Sequence, residues 1–135
     1  MIWFLLGILL FGLGLLWLIS KFSHRRRLFT EQDRALIINK WQEIERLMEN
    51  DRAKEAIFEA DKLLDHIFRK INLRGETFAD RLRSAEKMLF NYQDIWTAHK
   101  LRNKLAHEMD WQVSFREAKQ AIDIFDQAIR RLITF

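Results

Sequence analysis

The sequence predicts an all-α chain: a single N-terminal transmembrane helix followed by a small cytoplasmic helical bundle. Three observations predict it. Residues 1–20, MIWFLLGILLFGLGLLWLIS, carry no charged side chain, while almost every charge lies beyond them. The rest of the chain has no proline and a single glycine, Gly75, so helix breakers are scarce. Its apolar residues recur at helical spacing, and no useful length alternates with period two. A chain of 135 residues leaves room for one small domain beside the span.

The first element, 1–20, is long enough at ~1.5 Å per residue to cover roughly 30 Å, the hydrocarbon thickness of a bilayer. Trp3 and Trp17 lie towards its two ends, where indole rings favour the headgroup boundary. A cleavable signal peptide fits poorly, because a basic leader and a small-x-small cleavage site are both missing. Lys21, Arg25, Arg26 and Arg27 all follow the span and none precedes it, which predicts an external N-terminus and a cytoplasmic domain. Residues 21–29 are thus a basic juxtamembrane segment, able also to touch anionic lipid.

Of 23 Lys and Arg against 19 Asp and Glu, those four account for the whole net charge of +4. The bundle itself is neutral, so the basic balance is topogenic and not a nucleic-acid footprint. Gly7, Gly12 and Gly14 form no four-residue small repeat that would pair the span with another helix. Without cysteine there are no disulfides and no thiolate chemistry.

The bundle, 30–135, opens its helices with capping boxes. Thr30-x-x-Asp33, Thr77-x-x-Asp80 and Ser114-x-x-Glu117 each put a hydroxyl and a carboxylate where a first helical turn has free N–H groups. Ile37, Trp41, Ile44 and Met48 form one apolar stripe. After a break near Asn50-Asp51, Ala53, Ile57, Ala60, Leu64, Ile67 and Ile71 form a second. Phe78, Leu82, Ala85 and Leu89 form a third, and Ala118, Ile122, Phe125, Ile129 and Leu132 the last. With the helix over 92–107, this makes about five bundle helices on short connections. The stretch 41–68 mixes acids, bases and apolar residues as an ordinary amphipathic pair does, so its carboxylates are not read as catalytic. No phosphate-binding glycine loop or serine nucleophile motif occurs.

The helix over 92–107 breaks its own pattern. At ~100° per residue, Ile95, Ala98, Leu101, Leu105 and Ala106 make an apolar face with Arg102 in its middle. Tyr92, Trp96, His99, Asn103 and His107 make the adjoining stripe. A guanidinium aimed at a core must find a carboxylate, snorkel to the surface, or open onto a cleft. His99 and His107 stand eight residues apart, without the i, i+4 spacing of a helical metal pair, and no third ligand is near, so a metal site is rejected.

The run Arg102-Asn103-x-x-x-His107 resembles the signature of the HEPN family (higher eukaryotes and prokaryotes nucleotide-binding), small helical bundles that include many metal-independent ribonucleases. The motif lies late in its helix, a short connection EMDWQV follows, and one amphipathic helix closes the chain, as the family pattern requires. The resemblance covers roughly 30–135. It implies no cofactor, a homodimer whose paired motifs share one cleft, and RNA as partner. His107 would then be the acid/base, Arg102 the phosphate clamp and Asn103 the positioner; His99 is a secondary candidate. A five-residue step turns about 140° on a helix, so Arg102 and His107 converge only if the helix ends between them or a second subunit completes the site. A local patch of Lys100, Arg102 and Lys104 would meet the polyanion.

Two functional classes follow: a membrane-anchored, metal-independent endoribonuclease or RNA-binding module, and a non-catalytic membrane-tethered helical module for dimerisation or for binding a protein partner.

Overall fold

Three bundle helices begin where the sequence places a hydroxyl three residues before a carboxylate. Thr30, Thr77 and Ser114 each have extended backbone, and each side-chain oxygen accepts the N–H of the residue three positions on. Asp33, Asp80 and Glu117 reach back to the N–H of the capping residue, completing the reciprocal pair. The computed structural model describes residues 1–25 and 28–134, without the side chains of 2–6 and 19–25. Among the described residues, six α-helices and no strands appear: α1 (Ile2–Arg25), α2 (Glu31–Glu49), α3 (Ala53–Lys70), α4 (Phe78–Ser84), α5 (Tyr92–His107) and α6 (Phe115–Ile133), with a 3-10 turn at Glu86–Met88.

The helices stop without proline and, at two ends, without glycine. Asp51 (φ 56°) and Asn72 (φ 57°) take the left-handed conformation just past α2 and α3. The next residues, Arg52 and Leu73, donate back to the carbonyls of Leu47 and Phe68 at 2.9 and 3.0 Å. These are Schellman closures, in which Asp and Asn tolerate a backbone usually left to glycine.

α3 is the hub of the bundle: α6 packs on it most extensively, α2 and α5 lie against it, and α4 closes one end. All five members of the last predicted stripe are buried, as are all four of the third. Trp41, Met48, Ala53 and Ile71 sit at the rim of the core. α3 also buries Ala56, Leu63 and Phe68, and α6 buries Ala121 and Ala128, residues outside the single-stripe reading. Helices covered on more than one side need a wider apolar face than one row supplies. The third stripe is not one helix: Ser84 Oγ donates to the Arg74 and Asp80 carbonyls, and a 3-10 turn carries the chain on to Leu89.

The predicted transmembrane helix, and the external N-terminus and cytoplasmic domain derived from it, are overturned. Among the described residues no helix is long and apolar enough to cross a membrane. A span needs about 20 apolar residues. Within α1 the described side chains are those of 7–18. Leu9, Leu10, Phe11, Leu13, Leu16 and Trp17 are exposed there. The predicted basic collar lies outside the described residues at Arg26 and Arg27, and the side chains of Lys21 and Arg25 are likewise not described.

Candidate functional site

α5 runs unbroken from Tyr92 to His107, and the chain turns extended only at Glu108, whose N–H closes on the Lys104 carbonyl. Its inward face is anchored by Ile95, Ala98 and Leu105, with Leu101 half-buried and Ala106 exposed. This rotation carries the neighbouring stripe to the seam with α3, so that His99 is buried and Asn103 half-buried. Arg102 is therefore not in the middle of the core, as the ideal helical wheel had it. Its side chain is 33% exposed at the edge of the core, and its guanidinium carbon lies 5.1 Å from the centre of the Phe58 ring.

Four polar side chains close on one another here. His99 Nδ1 stands 2.7 Å from Asp61 Oδ1. Asn103 Nδ2 stands 3.2 Å from His99 Nε2. Arg102 Nη1 donates to Asn103 Oδ1 at 3.1 Å. Arg102 Nε faces Asp61 Oδ2 at 3.7 Å, close enough for charge attraction and too far for a hydrogen bond. Asp61 comes from α3 and the other three from α5, so the ring exists only because those helices pack together.

The imidazole is held on its faces as well as its edges. Phe78 of α4 stacks on His99 with centroids 4.2 Å apart, and Trp96 meets it edge-on at 6.2 Å. Arg83 in turn lies over Trp96 at 5.4 Å. With two side-chain partners and an aromatic lid, His99 has a fixed orientation.

The structure thus brings together Arg102, Asn103 and the secondary candidate His99, but not His107. Because α5 continues to its end without unwinding, the five-residue step leaves His107 well round the helix from Arg102. His107 is exposed in the last turn. Beside it Lys104 Nζ sits 3.1 Å from the centre of the Trp111 ring, at the start of the final connection. Lys100 is exposed, and Lys104 half-buried, on the turns flanking Arg102. Among the described residues no group of three or more His, Cys, Asp or Glu could hold a metal ion.

Asp61 is the residue that sequence reasoning missed. A signal for it existed: it lies four residues after Ile57 and three before Leu64, on the buried stripe of α3. A carboxylate at a core position of one helix and a guanidinium at the apolar face of another are the same anomaly read twice. No family model, no curated protein and no solved structure matches this chain.

Proposed function

We propose that this chain is a HEPN-like helical module that grips the phosphodiester backbone of RNA through Arg102 and, as a homodimer, cleaves it without a metal. One observation carries the reading: a guanidinium oriented by Asn103, attracted but not consumed by Asp61, with 33% of its side chain open to solvent. With Nη1 bonded to Asn103 and Nε buried, Arg102 Nη2 is the nitrogen left to donate to a phosphate oxygen. Lys100 and Lys104, two residues to either side of Arg102, lie about 160° round α5 from it, so the grip rests on Arg102 itself.

Cleavage requires the ribose 2′-oxygen to lose its proton and bond to phosphorus while the P–O5′ bond breaks and O5′ takes up a proton. An imidazole near neutrality can carry either proton. Arg102 holds the charge that builds on the non-bridging oxygens. His107 stands away from Arg102 in its own chain, so the proton carrier facing each Arg102 is His107 of the second copy. The non-catalytic reading, a dimerisation or protein-binding module, is favoured by that same separation.

Mixing two inactive variants of the full chain tests both. Arg102→Ala should weaken binding to a short unstructured RNA about ten- to a hundredfold, the worth of a hydrogen-bonded charge. His107→Ala should lower cleavage about 10²- to 10⁴-fold while binding persists. Half of randomly mixed dimers pair one variant of each kind and regain one intact site of two, so the mixture should recover about a quarter of the wild-type rate. Binding that survives Arg102→Ala removes the whole proposal. Binding lost with Arg102→Ala, but no cleavage by the wild type, leaves an RNA-binding module without turnover; no RNA binding by the wild type leaves the dimerisation or protein-binding module.

A further inference from the structure

Asp61 and His99 are buried polar groups, and the contacts of both lead to the same guanidinium. We propose that they are positioning residues for the Arg102 phosphate grip, acting by fixing the tautomer of His99 and, through it, the direction of the Asn103 amide. The inference rests on the reading of Arg102 given above.

The logic follows from donor and acceptor inventories. A carboxylate only accepts, so the 2.7 Å contact with Asp61 Oδ1 requires the proton on His99 Nδ1. A neutral imidazole protonated there has Nε2 as an acceptor. The Asn103 group facing Nε2 at 3.2 Å must then be the NH2, which donates. That choice turns Oδ1 of the same amide outward, where it receives the N–H of Arg102 Nη1 at 3.1 Å. Each bond dictates the next, and the reverse tautomer would point an NH2 group at a guanidinium, two donors face to face. The Phe78 stack and the Trp96 edge prevent the imidazole from escaping by ring rotation. Asp61 Oδ2 stands close to Arg102 Nε without bonding it, and so biases the guanidinium without occupying its outer edge.

The sign of one substitution separates this role from plain electrostatics. Asp61→Asn removes a negative charge beside the phosphate clamp; by Coulomb's law alone it should tighten RNA binding. The relay requires the opposite, a loss of about three- to tenfold, the worth of one misdirected hydrogen bond. Asn103→Ala, at a half-buried position, should cost a similar factor, and the double variant should cost no more than either single one, because both cut the same chain. In the 15N-labelled full chain, long-range 1H–15N correlation of the imidazoles should show His99 as one tautomer, protonated at Nδ1; the His99→Phe spectrum identifies its signals. Asp61→Asn should release it to a mixture.

An Nε2-protonated His99 in the wild type overturns the relay whatever RNA binding the Asp61 and Asn103 variants show. Unchanged or tighter RNA binding by Asp61→Asn, with binding still lost in Arg102→Ala, overturns the relay and leaves the phosphate grip standing. Additive losses in the double variant overturn it as well. RNA binding unaffected by Arg102→Ala overturns the grip, and the relay with it.

Discussion

Two arginines from other helices, Arg81 of α4 and Arg102 of α5, meet carboxylates of α3, and they differ in how much of the guanidinium is used. Arg81 is 6% exposed. It gives two hydrogen bonds to Asp65, at 2.7 and 3.1 Å, and a third to the Gly75 carbonyl at 2.7 Å. Its fork is consumed, and Gly75 (φ 139°) is placed so that a Cβ there would lie 2.8 Å from the Arg81 nitrogen, which glycine alone avoids. Arg102 has one hydrogen bond and an open edge. Arg81→Ala should therefore cost about 2–3 kcal/mol of stability, by removing three hydrogen bonds from a buried guanidinium while Asp65 keeps Arg69 at 2.7 Å, whereas Arg102→Ala should cost no more than about 1 kcal/mol. Urea unfolding of the two variants measures both. Arg102 stood out in the sequence because it violated the apolar pattern of α5. Asp61 and Arg81 violated their own stripes in the same way but had no motif to draw attention to them. That His107 would stand apart from Arg102 followed from the helical step as soon as the end of α5 was known.

At the scale of elements, the capping boxes govern both the fold and its acid response. The Thr30 backbone N–H, then the Thr30 hydroxyl, then Lys70 hold the Asp33 carboxyl down at about 2, from 3.8. The Thr77 hydroxyl and N–H lower Asp80, and the Ser114 hydroxyl and N–H lower Glu117. A carboxyl whose folded pKa lies below its unfolded one contributes its full stability above the unfolded value and loses it as pH falls through the folded value. The midpoint of urea unfolding should stay level down to about pH 5, then fall between about pH 4 and 2 as these caps protonate. Asp33→Asn should lower the plateau and shrink that fall. The starts of α2, α4 and α6 were legible because a capping box is local chemistry, whereas α3 and α5 begin without a side-chain cap. The stops were less so: Asn50-Asp51 announced one, while Asn72, which closes α3 with the same left-handed backbone, was hidden beside an apolar stripe. The end of α4 depends on the Ser84 hydroxyl finding the Arg74 carbonyl ten residues back, a contact with no periodic signature.

For the whole molecule, apolar periodicity made the bundle legible because each stripe must be covered by another. The same reasoning failed for residues 1–20, where an apolar run implied a span that no described helix supplies. Which helix would be the hub was not legible, since that depends on faces wider than one row. Phe125 is fully buried in α6, so its replacement by alanine should cost about 3–5 kcal/mol of stability; thermal unfolding of Phe125→Ala checks it. The pairing of α3 with α6 also has a consequence in time. A ribosome makes α3 well before α6, so Ile57, Leu64 and Phe68 leave the exit tunnel with their main cover still unwritten. Until α6 emerges, the nascent chain carries an apolar strip open to chaperones, and translation arrested after α5 would release a product prone to aggregate.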